Sequence, residues 1–268
     1  MNPITFGPIA LPIPVLIILS TLFTALFCAW RWRRRGAADL DNDVFLVALG
    51  AFLGARLGFL VVYAHYTDSV WQLLDIRDGG WWWPGFIIGG SLTWLWRAWR
   101  HRRAPLPWLS TTAISSAVLF SALALSHISA PEQHQMPDIA LQNLNGETQR
   151  LSELNKGFTV INLWATWCPP CQREMPVIAR AEQRHPEIAF VMANQGEQAA
   201  EVMRYLNDGD LSFSTVLLDP SYQLSETMGS YGLPMTVIYD PDGNEVARHF
   251  GPLSDASLAQ LLRRHGAI

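Results

Sequence analysis

Four stretches of the chain are nearly free of charge and long enough to cross a bilayer, and all four lie in its first half. Ile9–Trp30 runs 22 residues without a charged group, Val44–Tyr63 is broken only by Arg56, Gly79–Trp96 supplies 18 uncharged residues and Ala104–Ser126 supplies 23. A helix needs about 20 residues to cross a hydrocarbon core about 30 Å thick, so these runs predict four transmembrane helices. Ten of the twelve Trp fall within the first 108 residues and crowd the ends of the runs, where an indole with an apolar body and one donor anchors at the interface. The third run is the least regular, because Gly79, Gly80, Pro84 and Gly85 favour an interfacial or re-entrant start.

Arginine placement orients the spans. Arg31, Arg33, Arg34 and Arg35 follow the first run, and Arg97, Arg100, Arg102 and Arg103 follow the third. Between the second and third, Thr67–Asp78 holds Arg77 against Asp68, Asp75 and Asp78. The positive-inside rule then puts the two basic loops in the cytoplasm and both ends of the chain on the other face. A cleavable leader would carry its basic residues before the apolar run; here they come after it, which predicts a retained span. Mid-span Arg56 reads as a scaffold residue bonded to neighbouring carbonyls, with a lipid-phosphate contact as the alternative. Cys28, the one thiol in this half, reads as a small hydrophobe and cannot relay electrons without a second cysteine.

Charge divides the chain as well. Residues 1–130 carry net +4 and residues 131–268 net −8. An acidic second half excludes nucleic-acid binding, which needs a basic stripe for phosphate. Three Cys in 268 residues exclude a disulfide-stapled scaffold. Beyond Ser126–Gln135 the pattern becomes that of a soluble α/β domain. Phe158–Trp164 is an apolar, β-branched run that predicts a buried strand, and it leads directly into Trp167-Cys168-Pro169-Pro170-Cys171. A helix over about 170–184 follows, bent by Pro176. Strands are expected at Ile188–Ala193 and Ser214–Leu218, with helices at Gln198–Asn207 and near Leu224–Ser230. Met235–Tyr239 and Glu245–Phe250 flank Asp240-Pro-Asp-Gly-Asn244 as an antiparallel hairpin, Ser254–Arg264 closes as a helix, and Asn145-Gly146 marks an N-terminal hairpin.

Two resemblances follow from these residues. Gly54-Ala55-Arg56-Leu57-Gly58-Phe59, Val62-Tyr63 and Asp78-Gly79-Gly80 make roughly residues 5–103 resemble the N-terminal part of prolipoprotein diacylglyceryl transferase. That family carries a catalytic His shortly after Asp-Gly-Gly; Pro84 stands there in this chain, and the family's later arginine-bearing helices are absent, so the segment reads as a borrowed scaffold. About residues 136–268 resemble the membrane-anchored thioredoxin-like reductases of the TlpA/ResA type. The resemblance rests on Pro137-Asp138, Leu151-Ser-Glu-Leu154, Asn162-Leu-Trp-Ala-Thr-Trp-Cys-Pro-Pro-Cys171, Glu174-Met175-Pro176 and Gly232-Leu-Pro-Met-Thr236. The expected architecture is an all-α transmembrane segment of about four helices over residues 1–126, a tether at 127–135 and an α/β thioredoxin-like domain at 136–268.

Disulfide exchange needs a thiolate, and a cysteine with pKa about 8.5 is mostly protonated at neutral pH. Cys168 falls where strand gives way to helix, and unsatisfied N–H groups with the helix dipole favour negative charge there. It is the predicted attacking sulfur; Cys171, one turn further in, resolves the mixed disulfide. Pro169 and Pro170 occupy helix-start positions whose N–H groups lack intrahelical partners anyway. The resemblance implies that Trp167 and Pro234 complete the site, with Pro234 cis and its neighbouring backbone free to pair with an extended client. It also implies that Glu174 handles the Cys171 proton in place of a buried Asp, since the strand position offers only Asn162; a partly exposed surface acid is the plainer alternative. A structural disulfide over so short a loop adds little stability. No metal or cofactor is expected, because zinc needs about four ligands and His127, His134, His185, His249 and His265 show no paired spacing.

These readings predict an inner-membrane, periplasm-facing thiol–disulfide oxidoreductase. Its expected partners are the lipid bilayer, periplasmic or membrane-associated thiol proteins, and a membrane electron donor with its own cysteine pair. Reductase is the direction the resemblance implies; the same two sulfurs run an oxidase or isomerase at another potential. Alternatives of other kinds are a lipid-binding membrane protein with a redox-sensing domain and a non-catalytic docking module.

Overall fold

The computed structural model describes residues 4–6, 9–11, 13–36, 40–66, 80–100, 105–128, 134–155 and 157–268. The acidic loop Thr67–Asp78 and the arginines at 102 and 103 lie outside the described residues. Two compact units are present, one N-terminal and one C-terminal.

The N-terminal unit opens with strands β1 (Ile4–Phe6) and β2 (Ile9–Leu11), paired antiparallel. Among the described residues, the long helices that follow are α1 (Ile13–Arg33), α2 (Leu40–Tyr63), α3 (Trp83–Arg100) and α4 (Pro105–Ile128). The first apolar run is therefore not helical from Ile9, because residues 9–11 satisfy their backbone in the hairpin. Gly80–Trp82 are likewise outside α3, which begins at Trp83 with Pro84 at its second position, where a missing N–H costs nothing. Among the described residues, Leu16–Arg33 and Leu40–Tyr66 are long and apolar enough to cross a membrane.

Small residues let two of these helices meet closely. Gly54 of α2 lies against the Gly85 carbonyl and Gly89 of α3, and Gly50 against Gly89 and Thr93; a Cβ at Gly54 or Gly85 would overlap backbone atoms of the other helix. Trp32 Nε1 donates to Ser110 Oγ at 2.9 Å, tying α1 to α4. Asp43, with no exposed surface, pairs with Arg97. Arg56 is buried, its guanidinium 5.2 Å from the Phe59 ring centroid.

The C-terminal unit is a seven-stranded sheet in the order β4-β3-β7-β6-β5-β8-β9. Its strands are β3 (Ala140–Asn143), β4 (Thr148–Arg150), β5 (Thr159–Trp164), β6 (Ala189–Gln195), β7 (Thr215–Asp219), β8 (Met235–Tyr239) and β9 (Glu245–Phe250). The helices are α5 (Leu151–Leu154), α6 (Pro169–Arg184), α7 (Ala199–Asp208), α8 (Gln223–Thr227) and α9 (Asp255–Arg264). β5, β6 and β7 run parallel, and β8 and β3 flank them antiparallel. Side chains alternate across the pleat. Val160 and Trp164 join Phe190, Met192 and the buried faces of α6, α7 and α9, while Ile161 and Leu163 join Val191, Ala193 and Leu224 on the other side. Pro176 sits on the exposed face of α6, where water can serve the carbonyl that its missing N–H leaves unpaired.

Residues 129–133 of the expected tether lie outside the described residues. α4 extends to Ile128, and at the other end Glu245 N donates to the His134 carbonyl and Met136 N to the Gly243 carbonyl, each at 2.8 Å.

Candidate functional site

Because β5, β6 and β7 are parallel, their carboxyl ends open at one edge of the sheet, where α/β folds place their sites. The segment after β5 carries Thr166-Trp167-Cys168, the segment after β6 carries Gly196-Glu197, and the one after β7 leads to Tyr222. A groove of about 510 Å³ lies at this edge, lined by Trp167, Cys168 and Pro169 after β5, by Gln195 at the end of β6, by Tyr222 after β7, and by Leu233.

Cys168 is the N-cap of α6 and is joined to Cys171 by a disulfide, Cα–Cα 5.3 Å. Pro169 and Pro170 fill the first two helical positions and have no N–H. The first donor available to the sulfur is therefore that of Cys171, whose N–H points at Cys168 Sγ at 3.3 Å. The Cys168 carbonyl accepts from Gln172 N at 3.0 Å, the first regular helical bond. Trp167 is 60% exposed, Cys168 keeps 4% of its surface exposed, and Cys171 has none. Exchange chemistry thus reaches the cluster only from the Cys168 side.

Glu174 is fully buried, which removes the reading of it as a surface acid. The pleat explains its company: Asn162 sits between Val160 and Trp164 on the strand face that α6 covers. Asn162 Nδ2 donates to Glu174 Oε1 at 2.7 Å and to Thr236 Oγ1 at 3.0 Å, and Leu253 N donates to Glu174 Oε2 at 3.0 Å. Burial pushes the Glu174 carboxyl up to about 8, outweighing the bonds from Asn162 and Leu253 that favour its anion. At neutral pH it is mostly protonated, close to the range of an ordinary thiol.

The Leu233–Pro234 bond is cis. Pro234 is buried and does not itself line the groove; Gly232 and Leu233 do. The fold therefore brings Trp167, Cys168 and the cis-peptide segment to the groove, places Cys171 behind it, and sets Glu174 apart in the interior.

Sequence reasoning missed Glu197. Its carboxylate accepts from Thr166 N and Asn194 Nδ2, each at 2.7 Å, and from the Thr166 hydroxyl, and it is almost wholly buried. It anchors the residue two places before Cys168. The available signal is Gly196-Glu197 directly after a parallel strand, with Gly196 at φ 76° turning the chain back to the reactive edge.

A cysteine pair at a helix start, joined as a disulfide, a cis-proline segment beside it and a parallel three-strand edge define a thioredoxin-like disulfide-exchange domain. Residues 131–265 match the Redoxin family model, half of the chain, and the chain belongs to that family. The thiol–disulfide oxidoreductase ResA of Halalkalibacterium halodurans is 28% identical over 130 residues, spanning 48% of this chain and 73% of that protein. ResA of Bacillus subtilis is 26% identical over 52% of this chain and 79% of its own length. The thiol:disulfide interchange protein DsbE homolog of Paracoccus denitrificans is 31% identical over 44% and 66%. A crystal structure of a putative DsbE from Chlorobium tepidum covers 50% of this chain and 96% of its own at 23% identity, TM-score 0.46. Residues 5–128 are similar to the prolipoprotein diacylglyceryl transferase family. The protein is a thiol–disulfide oxidoreductase of the ResA/DsbE type, and its apolar N-terminal half associates it with a membrane.

Proposed function

We propose that this protein reduces disulfides of envelope proteins from the outer face of the inner membrane, through Cys168 and Cys171. In the reduced form the Cys168 thiolate attacks one sulfur of a client disulfide, giving a mixed disulfide and releasing the other client sulfur as a thiolate. Cys171 then attacks Cys168, expelling the reduced client and leaving the intramolecular disulfide. Two electrons return from a membrane donor that carries its own cysteine pair. The observation that carries this reading is the Cys168 sulfur at the start of α6, facing the Cys171 N–H at 3.3 Å and lining an open groove.

Glu174 lies three residues after Cys171, on the same side of α6. Its pKa of about 8 is near that of a free thiol, so proton transfer between the two is close to thermoneutral, the condition that suits general acid–base work. All four N-terminal helices span the membrane in this reading, with the basic loops inside and the exchange domain outside.

A Cys171→Ser variant expressed in cells tests the proposal. Mixed disulfides through Cys168 are expected to accumulate, and mass spectrometry of the trapped species identifies client and donor. Intact spheroplasts treated with a membrane-impermeant maleimide after reduction should label Cys168. Protection until lysis would place the domain on the wrong side, and a wild-type pair found oxidised at steady state would reverse the direction.

A further inference from the structure

Two of the strands that end at the groove bring polar groups that the thiol chemistry leaves unused. β6 ends in Gln195, which lines the groove and has no exposed surface. Its Nε2 donates to the Ala193 carbonyl at 3.2 Å, which fixes the orientation of the amide, and its Oε1 is buried without a hydrogen-bond partner among the described residues. β7 leads through Asp219 to Tyr222, whose backbone is left-handed at φ 61°, a conformation that strains a bulky residue. The strain is held in place: the Asp219 carboxylate accepts from Gln223 N at 2.8 Å and Leu224 N at 2.9 Å, and its carbonyl accepts from Gly196 N at 3.0 Å. The Tyr222 hydroxyl rests against Gly196, where an added Cβ would overlap it.

An orphaned buried acceptor and a strained tyrosine both cost stability, and both sit in the wall of the same groove as Cys168. Among the described residues no charged side chain lines that groove, so a charged client side chain would lose water there and gain no counter-charge. An amide offers what the two groups lack, a donor and an acceptor on one neutral unit. We propose that Gln195 and Tyr222 form a carboxamide-reading subsite beside Cys168, in which Gln195 Oε1 accepts from a client amide N–H and the Tyr222 hydroxyl donates to its carbonyl. The inference rests on the oxidoreductase reading and assigns its client specificity. The amide belongs either to an Asn or Gln next to the client cysteine or to the client main chain.

The test uses the full-length protein in detergent, pre-reduced, and single-turnover rate constants with disulfide-bonded peptides. The residue beside the peptide cysteine is Asn, Gln, Leu, Asp or Lys, and a further set carries an N-methylated backbone at that position. At least a fivefold preference for Asn or Gln over Leu, Asp and Lys is expected if the side chain supplies the amide; at least a fivefold loss on N-methylation is expected if the main chain does. In Gln195→Met, of similar length but without the acceptor, the discrimination should shrink to within twofold while the melting temperature rises, because the orphan is gone. Tyr222→Phe should weaken the same discrimination. Equal rates for every peptide with the wild-type protein, or full discrimination kept by Gln195→Met, overturn the subsite. A wild-type protein inert to every peptide and to 2-hydroxyethyl disulfide instead overturns the oxidoreductase reading on which it rests.

Discussion

Asn162 on β5 donates its side-chain amide to Glu174 on α6 at 2.7 Å, and neither residue has any exposed surface. The bond replaces what would otherwise be an isolated buried acid with a small network that continues to Thr236 and to the backbone of Leu253. Asn162 Oδ1 has no partner among the described residues, so a half-turn of its amide gives a protonated Glu174 an acceptor. The pair accommodates either protonation state, and its pH dependence can be measured.

Glu174→Gln should change stability in a pH-dependent way. The folded carboxyl titrates at about 8 against a reference of 4.5, so between these values the native state holds a proton that the unfolded chain has released. Native stability therefore falls as pH rises through this window, by about 1.4 kcal/mol for each pH unit crossed. Chemical denaturation should find the variant close to wild type at pH 5 and more stable than wild type by a few kcal/mol above pH 8. Parallel curves for the two proteins would remove the buried-acid account.

Asn162→Asp places a second carboxyl within hydrogen-bond reach of the first. Two such groups share one proton and resist double ionisation. The variant should be destabilised more steeply than wild type as pH is raised, by several kcal/mol at pH 9 in this low-dielectric position. Thermal melts from pH 6 to 9 give the comparison, and an unchanged slope counts against direct coupling.

Loss of Glu197 should loosen the reactive edge. Glu197→Ala leaves Thr166 N, the Thr166 hydroxyl and Asn194 Nδ2 without their acceptor, at about 1–3 kcal/mol for each donor that water cannot reach. The expected result is a lower melting temperature together with slower peptide-disulfide reduction, and Glu197→Gln should recover part of both. A melting-temperature loss with no change in exchange rate would make Glu197 a stability residue only.

The reduced Cys168 should alkylate with a midpoint below that of a free thiol, because the Cys171 N–H and the start of α6 favour its anion. A Cys171→Ser background isolates the reaction, and the midpoint is read from iodoacetamide rates against pH. A midpoint of about 8.5, the free-thiol value, would mean that the helix start gives the sulfur no help.

In the N-terminal unit the glycine seam is the testable contact. Gly54→Leu drives a side chain into the Gly85 carbonyl and Gly89 of the neighbouring helix, and close backbone approach is what small residues supply between helices. Accumulation of the full-length protein should fall severalfold, as measured by immunoblot of membranes, while Leu57→Ala on the exposed side of α2 should not lower it.

Much of the fold could be read locally. The hairpin strands Met235–Tyr239 and Glu245–Phe250 have the limits that their alternation and the Asp240–Asn244 turn prescribe. The helix after Cys168 begins at Pro169, where proline is at home. The first apolar run misled at its N-terminal end because hydropathy records solubility in lipid and not hydrogen-bond geometry; Ile9–Leu11 is apolar enough for a helix but pairs with Ile4–Phe6 instead.

Reactivity at Cys168 was written in consecutive residues, since a sulfur, two prolines and a helix start act over a few ångströms of contiguous chain. The groups that tune and feed that sulfur were not. Glu174 meets Asn162 and Leu253, Glu197 meets Thr166, and Tyr222 meets Gly196, all of them far apart along the chain. A carboxyl's burial, an acceptor's lack of a partner and a groove's lining are properties of neighbours, and the neighbours of a side chain are set by which strands lie parallel and which face of the pleat a helix covers.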